Sequence, residues 1–552
     1  MSIREIIKQH IANALAANGV SAVPESITLE HPAELSHGDY ATSVALQYAK
    51  QVAKSPRDLA TSIVDAMGTI AGVSKVDIAG PGFINFTLSS QALALSLDDA
   101  RTQDMWGANN LQKDKKIMVE YTDPNPFKEF HIGHLMSNAI GESIARLLQF
   151  SGAEVKHACY QGDVGLHVAK AVWEKLKSPE ITWGAAYAYG AQAYDQGGHY
   201  KDEINALNKK IYDRSDSEIN ALYDTGRKES LDHFEEIYNI LGTKFDNYFF
   251  ESKTGEFGKQ IVEEHPEVFE KSDGAVVYKG DESMGLHTRV FINSEGLPTY
   301  EAKELGLAKI KYDTYLYDTS IVITGNEVND YFRVLLDAMS KVFPELAAKT
   351  VHISHGMMRF AEGKMSSRTG NVITGEALLG ELTEAAKARA SESRADDHDK
   401  LAEQIAVAAI KYQILKQSSG KDIIFDRERA LSLEGDSGPY LQYTYARTNA
   451  IIAKAHTQGI EPMINKDAEP SEVTRLLHRF PEIVGHASHE LEPHLVTQFL
   501  LTVASSFNSW YGQEQILDGS TNAHHKVAVT EAVNKTLKNG LWILGIPAPE
   551  RM

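Results

Sequence analysis

Cysteine is almost absent from this chain, which has a single one, Cys159, among 552 residues. One cysteine excludes a disulfide within the chain and any zinc site built from several thiolates. A lone free thiol is typical of a reducing compartment, so we expect a cytoplasmic protein. Cys159 lies in an apolar segment with no base near it in sequence, so we do not expect it to act as a nucleophile.

Long apolar runs are also lacking, and no stretch reaches the length of about 20 residues that a membrane-spanning helix needs. Residues 1–20 place charges among apolar side chains at helical spacing, which predicts an amphipathic helix rather than a secretory signal. We therefore expect no membrane partner.

Positive charge is scarce, because 55 lysines and arginines stand against 75 aspartates and glutamates, a formal net charge of −20. Such an acidic chain is a poor indiscriminate binder of nucleic acid. A specific RNA partner stays compatible with this composition if it meets local basic surface. The 552 residues, 43% hydrophobic and 24% charged, are typical of a globular protein of about three domains.

The most informative stretch covers residues 120–163. A predicted strand ends before Pro124 and Pro126, which cannot donate to a strand ladder. His131 and His134 open a predicted helix, Gly152 suits its end, and residues 155–160 predict a second strand. The apolar side chains of the helix recur at helical spacing: Leu135, Ala139, Ile140, Ile144, Leu147 and Leu148. The stretch is therefore one βαβ unit.

A βαβ unit of this kind binds its ligand at the carboxyl end of the first strand, beside the start of the helix. Unpaired N–H groups and a partial positive charge make that place suitable for phosphate. His131 and His134 are three residues apart and share a face, and Gly133 lets a nucleotide approach the backbone closely. The sequence therefore predicts a nucleotide site, with two histidines that cap an ordinary helix as the alternative.

Three regions follow from the patterns along the chain. Residues 1–110 predict a small α+β domain with a helix at 41–52 and strands at 73–79 and 83–88. Residues 111–375 show the strand–helix alternation of a doubly wound sheet. Long polar helices at about 168–257 interrupt it, and we interpret them as an insertion. Further strands are predicted at 275–278, 289–293, 319–324 and 351–354.

Residues 376–552 read as nearly all helix and predict a helical bundle. The predicted helices are 377–390, 400–416, 440–454, 472–488, 494–511 and 525–544. Tyr440, Tyr443 and Arg447 share one of them, and Trp510 lies on another. Aromatic side chains with an arginine suit stacking on nucleobases, and packing in the bundle core is the alternative.

A second cationic segment lies at residues 363–371, where glycines flank Lys364, Met365, Ser366 and Arg368. Two cations beside two serines suit the oxygens of a triphosphate. A solvated basic turn is the alternative for this segment when it is taken alone.

Together, the histidine pair and the Lys364 segment resemble the HIGH and KMSKS signatures of class I aminoacyl-tRNA synthetases, in the same order and with a wide separation. The details resemble the arginyl-tRNA synthetases. Four segments carry this resemblance: EYTDPNPFKEFHIGH from Glu120, GDVG from Gly162, KMSSRTGN from Lys364 and the terminal LGIPAPERM. HGDYATSVALQYAK from His37 is similar to the amino-terminal domain of that family.

The resemblance implies an α/β multidomain fold: an N-terminal α+β tRNA-binding domain, a Rossmann-type parallel-sheet catalytic domain and a C-terminal all-α anticodon-binding bundle. It implies an arginine–tRNA ligase that forms arginyl-adenylate from ATP and then esterifies the 2′-hydroxyl of the terminal adenosine. The expected partners are the tRNA for arginine, L-arginine and ATP with Mg²⁺. We expect a monomer without a structural metal.

The resemblance also implies roles for single residues. His131, Gly133 and His134, with Lys364, Met365 and Ser366, match residues that bind ATP. His131, His134, Lys128, Lys364 and Arg368 match the catalytic set. Glu120, Asn125, Tyr300 and Glu304 match contacts to arginine, and Tyr440, Tyr443, Arg447 and Trp510 are candidates for contacts to tRNA.

The sequence departs from the family pattern at three places. Ser367 occupies a KMSKS position that is usually lysine, so the cation that dominates at the phosphates stays open. Glu304 stands where the family commonly has aspartate, and residues 325–327 replace a stretch that often carries glutamine or histidine. Taken singly, Glu120 and Glu304 could instead be solvated or ion-paired carboxylates.

Three other functions are compatible with parts of this pattern: a class I synthetase of another specificity, a small-molecule nucleotidyltransferase, and a synthetase relative that only binds RNA. A nucleotidyltransferase would not need the terminal helical bundle. An RNA-binding relative would have lost the histidines or the Lys364 segment, and both are present.

Overall fold

The computed structural model describes residues 2–361 and 374–552. Contacts between residues divide the chain into two compact units. The first combines Met1–Gly107, Thr444–Ile483 and Phe499–Asn539, and the second combines Ala108–Tyr443, Val484–Gln498 and Gly540–Met552. The predicted helical region is therefore shared between the two units, while the three domain boundaries stay a prediction.

The amino-terminal part of the first unit has the predicted α+β fold. Its elements are α1 (Ile3–Ala17), β1 (Tyr40–Thr42), α2 (Val44–Tyr48), α3 (Pro56–Met67), β2 (Val73–Ala79), β3 (Phe83–Leu88) and α4 (Ser90–Thr102). The strands form an antiparallel sheet in the order β1-β3-β2. Ser2 caps α1 in a capping box with Glu5, and Ser55 caps α3 just before Pro56.

The helix predicted for residues 41–52 is wrong in its first part. Tyr40, Ala41 and Thr42 pair with β3 as strand β1. The helix that follows, α2, keeps only Val44–Tyr48. Tyr40 is fully buried in the core of this domain, so burial and strand pairing outweigh the local helical pattern.

The second unit is built on strands and helices that alternate as predicted. Its elements up to residue 360 are β4 (Lys116–Glu120), α5 (Ile132–Phe150), β5 (Glu154–Gln161), α6 (Leu166–Lys177), α7 (Trp183–Gln196), α8 (His199–Asp213), α9 (Ser217–Leu241), β6 (Asn247–Phe250), α10 (Glu251–Glu264), β7 (Glu270–Ser272), β8 (Ala275–Tyr278), β9 (Arg289–Ile292), α11 (Tyr300–Thr314), β10 (Thr319–Gly325), α12 (Asn329–Val342), α13 (Pro344–Lys349), β11 (Thr350–His355) and β12 (Met358–Phe360).

A parallel sheet organises this unit, and in the described chain it has five strands in the order β11-β10-β4-β5-β6. The Rossmann-type fold class is confirmed. Strand order reverses between β10 and β4, because α5 leads from β4 to β5 on one side while β10 pairs on the other. A crevice at the carboxyl ends of the strands is expected at such a switch point.

Helix α5 forms the core beside this switch point. The predicted apolar stripe is buried, but Met136, Ser137 and Asn138 are buried as well, so protein surrounds the helix on nearly every side. Gly152 follows the end of α5 with φ +98°, a conformation that favours glycine over residues with a Cβ.

Two features of this unit were not predicted. Asn247–Phe250, inside the segment interpreted as a helical insertion, is strand β6 and pairs with the end of β5. Strands β7, β8 and β9 form a separate antiparallel sheet rather than extending the parallel one. Both differences come from strands of three or four residues, which are too short for a clear periodic signal.

The remaining elements are almost all helices, as predicted. They are α14 (Gly375–Ser391), α15 (His398–Leu415), β13 (Ile423–Phe425), α16 (Arg427–Ala430), α17 (Gly438–Thr457), α18 (Glu472–Leu477), α19 (Phe480–Glu490), α20 (His494–Gln513) and α21 (Ala523–Ile543). The unpredicted β13 pairs in parallel with β12.

The single helix predicted for residues 472–488 is wrong, because α18 ends at Leu477 and α19 begins at Phe480. Pro481 stands in the first turn of α19, where its missing N–H costs no helical hydrogen bond. Among the helices in residues 2–361 and 374–552, none has the length and apolar character to cross a bilayer.

Candidate active site

The two histidines meet at the start of α5, at the carboxyl end of β4. His131 is the residue just before the helix, and its ring stacks on that of His134 with the centroids 3.4 Å apart. The backbone N–H of His131 donates to Nδ1 of His134 at 3.2 Å, which leaves the proton of the neutral ring on Nε2. Burial and then His131 hold the pKa of His134 well below its usual value, so this imidazole is a neutral donor.

Gly133 and Lys128 complete the neighbourhood of the histidines. A Cβ on Gly133 would lie 3.0 Å from Cε1 and Nδ1 of His131, so glycine allows that ring to lie over the first turn. The Nζ of Lys128 lies 4.9 Å from the ring centroid of Tyr187. Burial lowers the pKa of Lys128, and the lysine in turn lowers the pKa of both histidines, which indicates that it acts on the same site.

The loop between β4 and α5 has unusual backbone geometry. Thr122, Asp123 and Phe127 have φ values of +79°, +46° and +71°, a region that residues other than glycine rarely adopt. Buried hydrogen bonds hold it: Ser137 Oγ accepts from the Thr122 N–H at 2.9 Å, and Ser230 Oγ accepts from the Phe127 N–H at 3.0 Å. Such strain persists only where the surroundings fix it, and it is common in ligand sites.

The described chain returns to this place after residue 373. Thr374 forms an isolated backbone bridge with His131, and the Gly375 N–H donates to the carbonyl oxygen of Phe130 at 2.7 Å. Lys364, Met365, Ser366 and Arg368, predicted for the phosphates, lie outside the described residues.

Glu120, the last residue of β4, and Glu304 of α11 were predicted to contact arginine and lie close together. The Nζ of Lys311 donates to Glu120 Oε2 at 2.6 Å, and both side chains are buried. Glu120 is therefore ion-paired with Lys311, and its contact to arginine stays a prediction. Burial and then the charge of Glu120 raise the pKa of Glu304 well above its usual value, and the same two causes raise the pKa of Asp123.

Asn125 lies between the strand ends, where Gly162 permits a close approach. The Gly162 N–H donates to Asn125 Oδ1 at 3.0 Å, so the amide NH₂ is directed elsewhere. A Cβ at Gly162 would lie 2.3 Å from Asn125 Oδ1 and 3.0 Å from Glu251 Oε1. Tyr300, the first residue of α11, is 61% exposed and lies at the rim of this group.

Four charged residues that sequence reasoning missed belong to this neighbourhood: Asp123, Glu251, Lys303 and Lys311. The Nζ of Lys303 donates to Glu251 Oε2 at 2.5 Å, and both are buried. Lys311 could have been found from its spacing to Glu304 on α11, because residues seven positions apart lie on the same side of a helix. Lys303, next to Glu304 in sequence, gave no such signal. Glu251 gave no signal, since strand β6 before it was not predicted.

A second cluster of charged groups, largely buried, includes residues of α5 and of the elements packed against it. The Nζ of Lys411 donates to the carbonyl oxygens of Leu241 and Gly545 at 2.7 and 2.8 Å. Arg146 donates to Glu142 Oε1 at 2.6 Å, and Glu142 Oε2 accepts from the hydroxyl of Tyr121 at 2.5 Å. Burial lowers the pKa of Lys411 to about 7. This cluster connects the last residues of the chain with Tyr121, which directly precedes the strained loop.

The four residues predicted to contact tRNA are not gathered in one unit. Tyr440 and Tyr443 belong to the second unit, whereas Arg447 and Trp510 belong to the first. Within the first unit, the Arg447 guanidinium lies 5.1 Å from the ring centroid of Tyr511. Trp510 lines two grooves of about 730 and 590 Å³, the second with the hydroxyls of Thr502, Ser505, Ser506 and Ser509.

No three His, Cys, Asp or Glu side chains of the described residues are arranged to hold a metal ion. The groups near His131 are instead a helix start with two imidazoles and a lysine, an arrangement suited to phosphate. The groups near Glu304 form a separate set of carboxylates. Placed side by side at the sheet edge, they can bind a nucleotide and a small cation together.

Comparisons with known proteins identify the family of this chain. Three family models match the chain: "tRNA synthetases class I (R), catalytic domain" over residues 96–427, "DALR anticodon binding domain" over 441–552 and "Arginyl tRNA synthetase N terminal domain" over 2–88. The chain is similar to the arginine–tRNA ligase of Clostridium perfringens, with 30% identity over 545 residues, 95% of this chain and 96% of the relative.

Solved structures of two arginyl-tRNA synthetases share the fold. The Thermus thermophilus enzyme matches with a TM-score of 0.81 and 24% identity over 100% of both chains. The Plasmodium falciparum enzyme matches with a TM-score of 0.78 and 20% identity over 99% of this chain and 98% of that one. Because the catalytic-domain model covers more than half of the chain and the clostridial relative nearly all of it, this chain belongs to the arginyl-tRNA synthetase family of class I synthetases.

Proposed function

We propose that this protein attaches L-arginine to its tRNA in two steps. The carboxylate of arginine attacks the α-phosphate of ATP, forming arginyl-adenylate and releasing pyrophosphate. The 2′-hydroxyl of the terminal adenosine of the tRNA then attacks the arginyl carbonyl carbon, which forms the ester and releases AMP. ATP enters as its Mg²⁺ complex, so the metal is part of the substrate.

The first step needs placement and charge stabilisation at phosphorus rather than covalent catalysis by a side chain. We assign His131, Gly133 and His134 to ATP, with the Nε2–H of neutral His134 donating to the phosphates. Lys128, Lys364 and Arg368 would neutralise the leaving pyrophosphate, with Met365 and Ser366 in the same sequence segment as Lys364 and Arg368. The return of the chain at Thr374 beside His131 supports this assignment.

The arginine site is proposed at Glu120, Asn125, Tyr300 and Glu304. The observation that carries this proposal is a shortage of cations among buried carboxylates. In the described chain, two of the four carboxylates have a lysine at ion-pair distance, Glu120 with Lys311 and Glu251 with Lys303, whereas Asp123 and Glu304 have none. A guanidinium would supply the missing charge and offer forked donors that a carboxylate accepts in pairs.

Selection against other amino acids follows from the same burial. A neutral side chain in this pocket would leave the carboxylates without partners, and buried polar sites reject such analogues by on the order of 10⁴-fold. A pocket of this kind explains why a separate editing domain is not needed.

We assign the catalytic domain to residues 111–375, with its insertion at about 168–257. Recognition of tRNA is proposed for the two domains that flank it in sequence: residues 1–110 and the anticodon-binding residues 376–552. Tyr440, Tyr443, Arg447 and Trp510 are the candidate contacts. We further propose that the protein acts as a monomer in the cytoplasm.

Pyrophosphate exchange tests the proposal. The purified protein is incubated with ATP, Mg²⁺ and each amino acid, with and without arginine-accepting tRNA. We expect exchange with arginine alone among the amino acids, and stimulation by the tRNA. Exchange with a different amino acid would overturn the specificity, and tRNA binding without any exchange would favour the RNA-binding alternative.

A further inference from the structure

The hydroxyl of Tyr331 is an unusual buried group near the carboxylates of the proposed arginine site. The residue lies in the first turn of α12, and its hydroxyl oxygen is buried without a hydrogen-bond partner among the described residues. Other buried tyrosines of this unit are partnered: Tyr121 bonds Glu142, Tyr160 bonds Thr254 and Tyr278 bonds Asp337. A buried tyrosine hydroxyl usually has a partner, so this exception needs an explanation.

Packing indicates where Tyr331 lies, because its ring packs against an apolar cluster that includes Ala302 and Leu305 of α11, on either side of Lys303 and Glu304. Burial and then the charge of Glu304 raise the pKa of Tyr331, with smaller effects from Glu301, Tyr160 and Glu251. Two of these residues, Glu304 and Glu251, belong to the carboxylate group of the arginine site. The hydroxyl is therefore near that group, yet it makes no hydrogen bond to any described member of it.

We infer that Tyr331 is a further arginine-binding residue, whose hydroxyl oxygen accepts an N–H of the substrate guanidinium beside Glu304. A guanidinium has five N–H donors and no acceptor, and one carboxylate takes only two of them. A phenol supplies an additional acceptor without adding another buried charge. Burial, with Glu304 beside it, raises the pKa of Tyr331 far above the working range, so the group acts as a neutral hydroxyl.

A structural role for this hydroxyl predicts different behaviour. Where a buried hydroxyl is bonded within the protein, its removal lowers stability. Where it has no partner until substrate arrives, its removal spares the free protein the cost of burying an unsatisfied polar group. Stability and arginine affinity should therefore change in different directions in Tyr331→Phe, which a structural role would not produce.

The experiment compares Tyr331→Phe with wild type, using the full chain with ATP and tRNA. We expect the KM for arginine to rise on the order of tenfold, the loss of one hydrogen bond to a charged group. The KM for ATP and kcat should stay within about twofold. The Tm of the free variant should equal or exceed that of wild type, and the rise of Tm with added arginine should be smaller.

Tyr278→Phe is the matched control, because it removes a hydroxyl that donates to Asp337 Oδ2 at 2.5 Å in the same unit. We expect it to lower Tm and leave the KM for arginine unchanged. The inference rests on the proposed function, and the two fail differently. Normal arginine exchange with an unchanged KM in Tyr331→Phe overturns the inference alone, whereas absence of arginine exchange in wild type overturns both.

Discussion

Binding of arginine should release a proton from the carboxylate group around Glu304. In the free protein, burial and the neighbouring Glu120 raise the pKa of Glu304 well above its usual value, and Asp123 is affected in the same way. Between the ordinary and the raised pKa, this group therefore retains protons that exposed carboxylates would have lost. A substrate cation placed among them favours the ionised form.

The size of the effect follows from Coulomb's law. A guanidinium about 4 Å from a carboxylate interacts with it by about 4 kcal/mol at an effective dielectric constant of about 20. That energy lowers a pKa by about three units. A shift of that size favours the ionised form of Glu304, so between the ordinary and the raised pKa we expect release of up to one proton for each arginine bound.

Titration calorimetry in two buffers of different ionisation enthalpy, phosphate and Tris, measures this number. The observed binding enthalpy should differ between the buffers at one pH, and its slope against ionisation enthalpy gives the protons released. Arginine should also bind more tightly as pH rises through the pKa of the free site. Equal enthalpies in both buffers across the neutral range would refute the argument.

Glu304→Gln provides the control for this experiment, because it removes the titrating group and keeps the shape. Its proton release should fall towards zero. The raised pKa also predicts stability: the protonated carboxyl supports the fold fully below the unfolded pKa, and that support is lost as pH rises through the folded pKa. The variant should therefore have a higher Tm than wild type at alkaline pH and no advantage in acid.

Three further variants test other parts of the structure. His134→Ala should slow pyrophosphate exchange about 10²-fold, as loss of one phosphate donor does, and leave tRNA binding on filters unchanged; equal exchange would exclude its role. Trp510→Ala should weaken tRNA binding by about 1–3 kcal/mol if its ring stacks on a base, and should only lower Tm if it is core. Gly545→Ala, at φ +63°, would place a Cβ 2.9 Å from the Lys411 Nζ, whereas Gly197→Ala, at φ +75°, meets nothing within 4 Å. Thermal unfolding should show Gly545→Ala to be less stable than Gly197→Ala by about 1–3 kcal/mol, and equal Tm values for these two variants would refute the packing argument.

The fold was predictable wherever local signals agreed with each other. Prolines after β4, helical spacing through α5 and Gly152 at its end mark the central βαβ unit within about 45 residues of sequence. Strand β6 and the break between α18 and α19 gave weaker signals, because short segments take their conformation from the neighbours they contact. Strand β1 shows this most clearly, since only its pairing with β3 separates it from the helical pattern that follows.

The residues of the candidate site were likewise predictable only where the signal is local in the sequence. His131, Gly133 and His134 are close in sequence and lie together at one helix start, so a short motif was enough to predict their place. The lysines that organise the carboxylates were invisible, because Lys311 pairs with a residue 191 positions away and Lys303 with one 52 positions away. The spacing along α11 places each lysine on a face of the helix, but it does not identify the residue with which the lysine pairs.

Partial pairing of the carboxylates explains how one pocket can be both stable and selective. Lys311 and Lys303 hold Glu120 and Glu251, whereas in the described chain neither Asp123 nor Glu304 has a lysine at ion-pair distance. If every carboxylate were paired, the pocket would be neutral and an incoming cation would gain little from entering it. If none were paired, burial of four charges would cost more than the fold could offset. Pairing two of them fixes the geometry, and we expect the guanidinium of arginine to displace the proton that Glu304 retains.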